Sequence, residues 1–557
     1  MPDAIDSVAH PIAVSNKCSA SRHTSKRRRN MKKPLAFALV SALTLATAGI
    51  AGSQTPPGYN TKIPPEIMTP DKVQTKYLGP LEFSDGRPIQ ETVNKVYDHL
   101  TYLRAVEVFL NWMPACSLEA MRLGHVESGI TKPNQVAISE QLMDSNPLFL
   151  TGNTDTVYAS TILDLERDGP TVVIIPPRCG PGTVNDAFFR FVVDMGAPGP
   201  DRGQGGKYLI LPPDYHGLPI EFPDNNSTVK LTTGGVTENY YVVQSRSYIN
   251  WLILRGFLVD GKPDAAVKMF KEGLKIYSLK DAANPPAMEF KNLSEAVMNT
   301  IHANNEMFYE ELDHVIQKEP IGLVDPELLG LAAAIGIEKG KPFEADDRMK
   351  AILKDAAAVG NATSRAITFD VRAPEAYIYG KDSQWKVGFI GGDYRWLKDG
   401  GNGGRNMDAR TAFFYFATVN TPAMVAKIVG AGSQYAWTDR DSNGHYLQGD
   451  KNYKLNIPQD VPVKNFWSVV VYDPQTRSQL QTGQPFPSRN DKKSKFVKNV
   501  DGSVDLYFGP KAPDGKEENW IQTVPGKGWF TILRLYGPLE PWFDKTWRPG
   551  EIELQSP

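Results

Sequence analysis

Cysteine and histidine are scarce in this chain of 557 residues, at three and eight. A cysteine-stapled scaffold or a repeated zinc framework cannot be built from so few. The chain has no Gly-x-Ser-x-Gly elbow and no His-Glu-x-x-His helix, which sets aside the ordinary α/β-hydrolase and zincin routes. The run Asp201-Arg-Gly-Gln-Gly-Gly-Lys207-Tyr208 lacks the first glycine and the Ser/Thr of a phosphate loop. The glycine run at 400–404 lacks the strand–turn–helix setting of a dinucleotide site. Apolar runs stop short of the roughly 20 residues that a membrane span needs. Neither sign of charge dominates, at a net −2.

What is present is globular and turn-rich. Apolar residues make up 41% and charged residues 22%, with 47 glycines and 43 prolines, so many short strands are expected. Met31-Lys32-Lys33 followed by an apolar stretch from Pro34 to Ala48 and small residues to Ala51 has the form of a secretory signal peptide. We expect translation to begin at Met31, residues 1–30 to be an upstream extension, and the protein to act in the periplasm or outside the cell. Without residues 1–53 the chain holds 53 basic and 61 acidic residues, net −8. That balance argues against nucleic acid as a partner. Cys18 falls in the removed segment, which leaves Cys116 and Cys179 as one disulfide or two buried thiols.

The periodicity divides the remainder. Residues 54–75 read as a Pro-rich arm. Residues 89–127 carry an apolar stripe at helical steps that Pro114 should interrupt. Strands are expected at 157–163, 171–175, 187–193, 208–211 and 240–243, helices at 264–277, 293–317 and 346–364, and strands again at 454–457, 466–472, 503–508 and 529–535. The expected domains are 76–258, a helical lead-in plus a first β-sandwich; 259–365, a helical connector; and 366–557, a mixed segment plus a second β-sandwich. The fold class is mixed α and β (α+β), with two antiparallel, jelly-roll-like sandwiches, because the strands cluster and do not alternate with helices.

Specific residues then become recognisable. Asn153-Thr-Asp155-Thr156-Val-Tyr158-Ala-Ser160, Leu163-Asp164-Leu165, Phe191-Val-Val-Asp194 and Gly203-Gln-Gly-Gly-Lys207 resemble the bacterial domain-of-unknown-function 1254 family. Asn443-Gly444, Leu447-Gln-Gly449, Tyr453, Phe466-Trp467-Ser468, Tyr472-Asp473, Asp501-Gly502-Ser503, Asn519-Trp520 and Arg534-Leu-Tyr536-Gly537-Pro538 resemble its companion, domain-of-unknown-function 1214. The resemblance covers most of residues 85–549 and implies a secreted protein of two β-sandwich domains joined by helices. It brings no chemistry with it.

Candidate sites follow from residue types. Asp155 and Asp194 are the carboxylates for acid/base work. Asn153 and Asp155, two apart before a strand, share a face, and Asn153, Thr156 and Tyr158 are ligand-binding candidates; the other reading is a turn capped by side chains. Arg190 and Asp194, placed on one strand, face together, and with Arg202 and Lys207 they form an anion reader. Arg489 and Trp467 complete the ligand-binding set. The five tryptophans Trp467, Trp520, Trp529, Trp542 and Trp547 serve either as sugar-stacking platforms or as core. Asp439, Asp441, Asn443 and Asp450 have the spacing of a Ca²⁺ loop, but the exit is a strand where an EF-hand has a helix. A hairpin turn is therefore the first reading and calcium the second. His302, Glu306, Glu310 and His314 fall on one helical face, which reads as solvated. The protein is expected to bind a small or oligomeric organic ligand, a saccharide among the candidates, with hydrolase or lyase chemistry open. The competing class is a non-catalytic envelope binding protein. Oligomeric state, including a homo-oligomer, is left open.

Overall fold

Two helices set the frame. Gln90–Asn111 and Met113–Glu127 are separated at Trp112 (φ −94°, ψ 4°), and Pro114 sits in the first turn of the second helix, where its missing N–H costs nothing. The expected interruption is thus a break between two helices. The computed structural model describes residues 61–217, 228–233 and 235–556. Of the described residues, 61–69 belong to one unit, in which Pro65–Ile67 is a single 3₁₀ turn, and those from Pro70 onward belong to the other. The expected signal peptide lies outside the described residues. Among the described residues no helix is long and apolar enough to cross a membrane.

The architecture is mixed α and β. A six-stranded sheet runs in the order Glu289–Asn292, Gln135–Ile138, Thr156–Asp164, Ile249–Phe257, Gly182–Asp186, Phe191–Met195. A five-stranded sheet orders Thr228–Thr233, Val236–Gln244, Gly206–Leu211, Thr171–Ile175, Lys275–Ser278. Residues from both, including Val157, Leu163, Val173, Ile210 and Leu254, share one buried cluster. Two four-stranded sheets repeat the arrangement downstream: Ser433–Thr438, Phe530–Pro538, Val463–Tyr472, Ser488–Asn490, and Trp520–Gln522, Val504–Gly509, Tyr453–Ile457, Ile552–Leu554. They too share a core, with Leu455, Val469, Leu506 and Leu533 inside it. Pairing is mostly antiparallel. Parallel pairs join Val236–Gln244 to Gly206–Leu211, Glu289–Asn292 to Gln135–Ile138, and Val504–Gly509 to Trp520–Gln522.

The central strands are buried on both faces, and alternation divides their side chains between two cores. Val157, Ala159 and Leu163 point into the sheet–sheet cluster, while Tyr158 and Ile162 point the other way. Likewise Leu533 and Leu535 face the second sheet–sheet core, and Phe530 and Ile532 face away from it. The outward faces meet the helices Met113–Glu127, Met307–Lys318, Asp347–Phe369 and Met407–Phe416 in a third, larger cluster. The candidate cavity lies in that cluster.

Three expectations need correction. Of the strand expected at 187–193, residues 191–193 open the strand Phe191–Met195, whereas 187–190 form a turn after Gly182–Asp186, because Asp186 Oδ1 caps the amides of Phe188 and Arg190 and Phe189 adopts φ 52°. Arg190 therefore shares no strand with Asp194. The helix expected from 293 begins only at Met307, where Asn305 caps its first amide, so His302 lies outside it, buried against Phe308. The segment 275–278 is a strand, since Ile276 is drawn into the sheet–sheet core. Cys116 and Cys179 are both free and lie in different cores.

Candidate functional site

Ile249–Phe257 is apolar except for Asn250 and Arg255, and its odd positions 251, 253 and 255 face the helical cluster. Arg255 stands directly across the ladder from Tyr158, and its guanidinium lies 5.9 Å from that ring. Among the described residues its side chain has no hydrogen-bond or ion-pair partner, and its Nε is buried unpaired. On the downstream block, Arg534 stands across from Tyr435, 5.4 Å from that ring. Arg534 Nη2 donates to Tyr472 Oη at 2.7 Å and to the Thr151 carbonyl, while its Nε is also unpaired. Tyr536 stacks on Phe466 at 4.0 Å, and its buried hydroxyl has no partner. Burial pushes the Tyr472 and Tyr536 phenols up, so both stay neutral donors.

The two arginines line one cavity with about 590 Å³ of empty space. Its walls are Phe149, Tyr158 and Ile253 from the first block, Tyr435, Trp437 and Ile532 from the second, and Phe389, Phe413 and Phe416 from the segment between. Thr151 (φ 43°) and Val419 (φ 70°) are β-branched residues held in the left-handed region, and both line this cavity. Such strain persists only where the surroundings impose it, and it concentrates at functional sites.

Two smaller cavities adjoin. One, of about 370 Å³, shares Arg255, Val419 and Tyr435 with the first and contains Asp194. Thr421 Oγ1 donates to Asp194 Oδ2 at 2.8 Å, while Oδ1 is buried and unpaired. Burial pushes the Asp194 carboxyl up to about 7, against the lowering effects of the threonine contacts and the Arg255 charge. The other, of about 400 Å³, shares Phe149, Tyr158 and Ile253 and contains Ser160 and His125. His125 Nδ1 lies 2.8 Å from the Met121 carbonyl and Nε2 lies 2.9 Å from Ser160 Oγ. The carbonyl requires Nδ1 to carry the proton, so Nε2 accepts from the serine. Burial pushes His125 down to about 4, and the imidazole is neutral.

Of the residues marked in the sequence, the structure brings Asp194 and Tyr158 to the cavities. Asp155 is buried close by, and its charge bears on Tyr472 and Tyr536. Its Oδ1 accepts from Asn490 at 2.7 Å and Thr154 at 3.1 Å, with Lys493 Nζ at 3.9 Å, and Oδ2 has no partner. Asn153 accepts from the amides of Asp155 and Thr156 and from the Thr156 hydroxyl, and donates to Tyr158 Oη at 2.6 Å, so it and Thr156 form a turn that holds the tyrosine. Arg190 pairs with Asp186 at 2.7 Å, Lys207 pairs with Glu238, and Arg202 is exposed. Arg489 donates to the carbonyls of Ser488, Glu517 and Glu518. Trp467 stacks on Phe496 at 5.3 Å inside the downstream core, where Trp529, Trp542 and Trp547 are also buried.

The Asp439–Asp450 run closes as a turn. Arg440 bridges Tyr446, Gly444 sits at φ 80°, and Asp441 Oδ1 accepts from the amides of Asn443 and His445. Asp439 Oδ1 is held by the buried Lys386, and Asp450 is exposed. The exit leads to the strand Tyr453–Ile457. Among the described residues no three His, Cys, Asp or Glu gather as a metal group.

Arg255 and Arg534 escaped the sequence reading as site residues. The available signal was a lone arginine in a run otherwise suited to a strand buried on both faces, Trp251-Leu-Ile-Leu-Arg255 and Phe530-Thr-Ile-Leu-Arg534.

Residues 133–278 match a family model described as Protein of unknown function (DUF1254), and residues 432–540 match another, Protein of unknown function (DUF1214). Tyr158 and Arg255 fall in the first match, Tyr435 and Arg534 in the second. No curated protein matches the chain. A crystal structure of a Vibrio parahaemolyticus protein is 17% identical, with a TM-score of 0.48 over 82% of this chain and 100% of that one. An uncharacterized protein from Burkholderia cenocepacia is 12% identical, with a TM-score of 0.36 over 84% of this chain and 97% of that one. The two matches follow one another along the chain, the first at residues 133–278 and the second at residues 432–540.

Proposed function

We propose that this protein binds a small organic ligand with an apolar, flat body in the 590 Å³ cavity between its two β blocks. The observation that carries this reading is the lining: aromatic rings from three separate parts of the chain converge there, around a few polar groups. Ligand sites have that composition. A flat apolar body fits the walls better than a saccharide, since Trp437 is the cavity's one tryptophan and Trp467, Trp529, Trp542 and Trp547 are core. The shared cluster of each sheet pair supports describing each block as a β-sandwich. The signal-like segment supports a secreted or periplasmic setting.

Asp194 is the acid/base group of this site, with a carboxyl near neutrality and a free oxygen in the adjoining cavity. That supports hydrolase or lyase chemistry on a ligand reaching past Arg255. A non-catalytic binding protein is the second reading, favoured by the absence of Asp155 from the cavity lining.

Filling the cavity tests the proposal. Thermal shift and calorimetry with a panel of small aromatic acids, their amides and mono- and disaccharides should find ligands among the aromatics. Ile532→Trp should abolish that binding while the fold is retained by circular dichroism. Saccharide binding that survives Ile532→Trp, or no aromatic ligand at all, would overturn the reading.

A further inference from the structure

We propose that the ligand is an organic anion whose carboxylate is held between Arg255 and Arg534, with its apolar body against Phe389, Phe413 and Phe416. This names the ligand class of the cavity proposed above and rests on that reading.

The argument starts from the charges. A guanidinium keeps its proton under all physiological conditions, so the site carries two fixed positive charges. They are close enough that each bears on the other's charge. Burying like charges together is costly unless something compensates them. The groups around them are the hydroxyls of Tyr158, Tyr435, Tyr472 and Tyr536, the last two held neutral by burial, and the Thr151 carbonyl. The nearby carboxylate, Asp155, already takes Asn490, Thr154 and the Lys493 ammonium. Asp194, beside Arg255, is pushed toward its neutral form. Two fixed cations thus face one carboxylate, Asp194, which is itself pushed toward its neutral form, so positive charge is in surplus.

The unpaired atoms point the same way. Arg255 Nε, Arg534 Nε and Tyr536 Oη are buried donors without acceptors. Leaving such a donor unpaired is costly, the more so for a charged group. A carboxylate offers about four acceptor positions on two oxygens, and arginine's planar fork is matched to it. One oxygen facing each arginine would satisfy donors that the protein leaves open. Most of the remaining lining is apolar, with Phe149, Ile253, Phe389, Phe413, Phe416 and Ile532 in it, so the anion must carry an apolar body; inorganic phosphate or sulfate would satisfy the arginines and leave the aromatic walls uncovered.

The test compares acids with neutral isosteres: benzoate, 3-phenylpropionate and octanoate against benzamide, 3-phenylpropanamide and octanamide, with inorganic phosphate as a separate arm. Titration calorimetry on the full chain should show at least one acid binding about tenfold or more tighter than its amide, a difference of about 1.4 kcal/mol. Arg255→Met and Arg534→Met should each remove that preference and leave amide binding within about twofold. Arg255→Lys should restore part of it, because charge returns without the fork. The acid–amide comparison needs only the unaltered protein, so a variant that fails to fold does not decide the matter. Equal binding of acid and amide would overturn the anion assignment and leave the cavity reading standing. Phosphate binding as tightly as any acid would overturn the apolar body. No binding by any of the six at about 1 mM, where some 4 kcal/mol suffices, would sink the cavity reading itself.

Discussion

Arg255 and Arg534 occupy matching places on matching strands. Each ends an Ile-Leu-Arg tripeptide, Ile253-Leu254-Arg255 and Ile532-Leu533-Arg534, in an interior strand of an antiparallel ladder. Each stands directly across that ladder from a tyrosine, Tyr158 and Tyr435, with its guanidinium 5.9 and 5.4 Å from the ring. In each tripeptide the isoleucine and the arginine face the same cavity, two residues apart. Two β blocks of different strand number and order therefore offer the cavity the same three side chains.

Asp194→Asn should change how stability depends on pH. Burial, the largest influence, holds the folded carboxyl at about 7, whereas an unfolded aspartate titrates near 3.9. Between roughly pH 4 and 7 the folded chain binds more protons at this site, so its stability falls as pH rises through that window. The asparagine stays neutral. The unfolding free energy of the variant minus that of the wild type should climb from pH 4.5 to 7 and level off above it, by an amount on the order of a few kcal/mol. His125, His302, Glu311 and Glu319 titrate in both proteins and cancel in the difference. A flat difference would contradict the assignment.

Lys386 and Asp439 form a buried ion pair, with 0% and 3% of their surfaces exposed, and the ammonium lies 4.3 Å from the Trp437 ring. Lys386→Met should cost about 3–5 kcal/mol in urea unfolding, because it strands a buried carboxylate. Lys386→Met combined with Asp439→Leu should recover most of that loss. Since Lys386 already holds Asp439, millimolar calcium should leave the melting temperature of the wild type unmoved; a clear rise would restore the calcium reading of this loop.

Two helical glycines separate propensity from packing. Gly330, in Pro326–Ala333, has open space where a Cβ would go, so Gly330→Ala should stabilise by about 0.5–1 kcal/mol. Gly360, in Asp347–Phe369, would place a Cβ 2.7 Å from the buried Phe109 ring. There the same gain of about 1 kcal/mol meets an overpacking cost of about 1–3 kcal/mol, and Gly360→Ala should destabilise. Chemical denaturation of both variants would show opposite signs; equal signs would refute the packing argument.

Much of the scaffold could be read before folding was known. Thr171–Ile175 was placed residue for residue, and the break before Pro114 follows from proline's missing donor. The β-branched and aromatic runs at 466–472 and 529–535 became central strands because such residues suit a surface buried on both sides. The failures have a common cause. At 187–193 the apolar pattern was correct, but one carboxylate, Asp186, capped two amides and turned the chain. At 293–306 the acidic face resembled a helix, while the burial of His302 decided the local path. The site itself was hidden for a related reason: pattern shows that Arg255 and Arg534 are to be buried, but not that they are to be buried toward each other. That depends on contacts between the two blocks, such as Arg534 with the Thr151 carbonyl, 383 residues apart in sequence.

The division of the cavity between residues 133–278 and 432–540 has a genetic consequence. Each matched segment encodes one arginine and its tyrosine, so a chromosome that separated the two would hand down a pair of half-sites, each with one cation and one wall. Selection for the ligand would then act on the linkage between two stretches of coding sequence, and on the length of chain that connects them, as strongly as on either stretch alone.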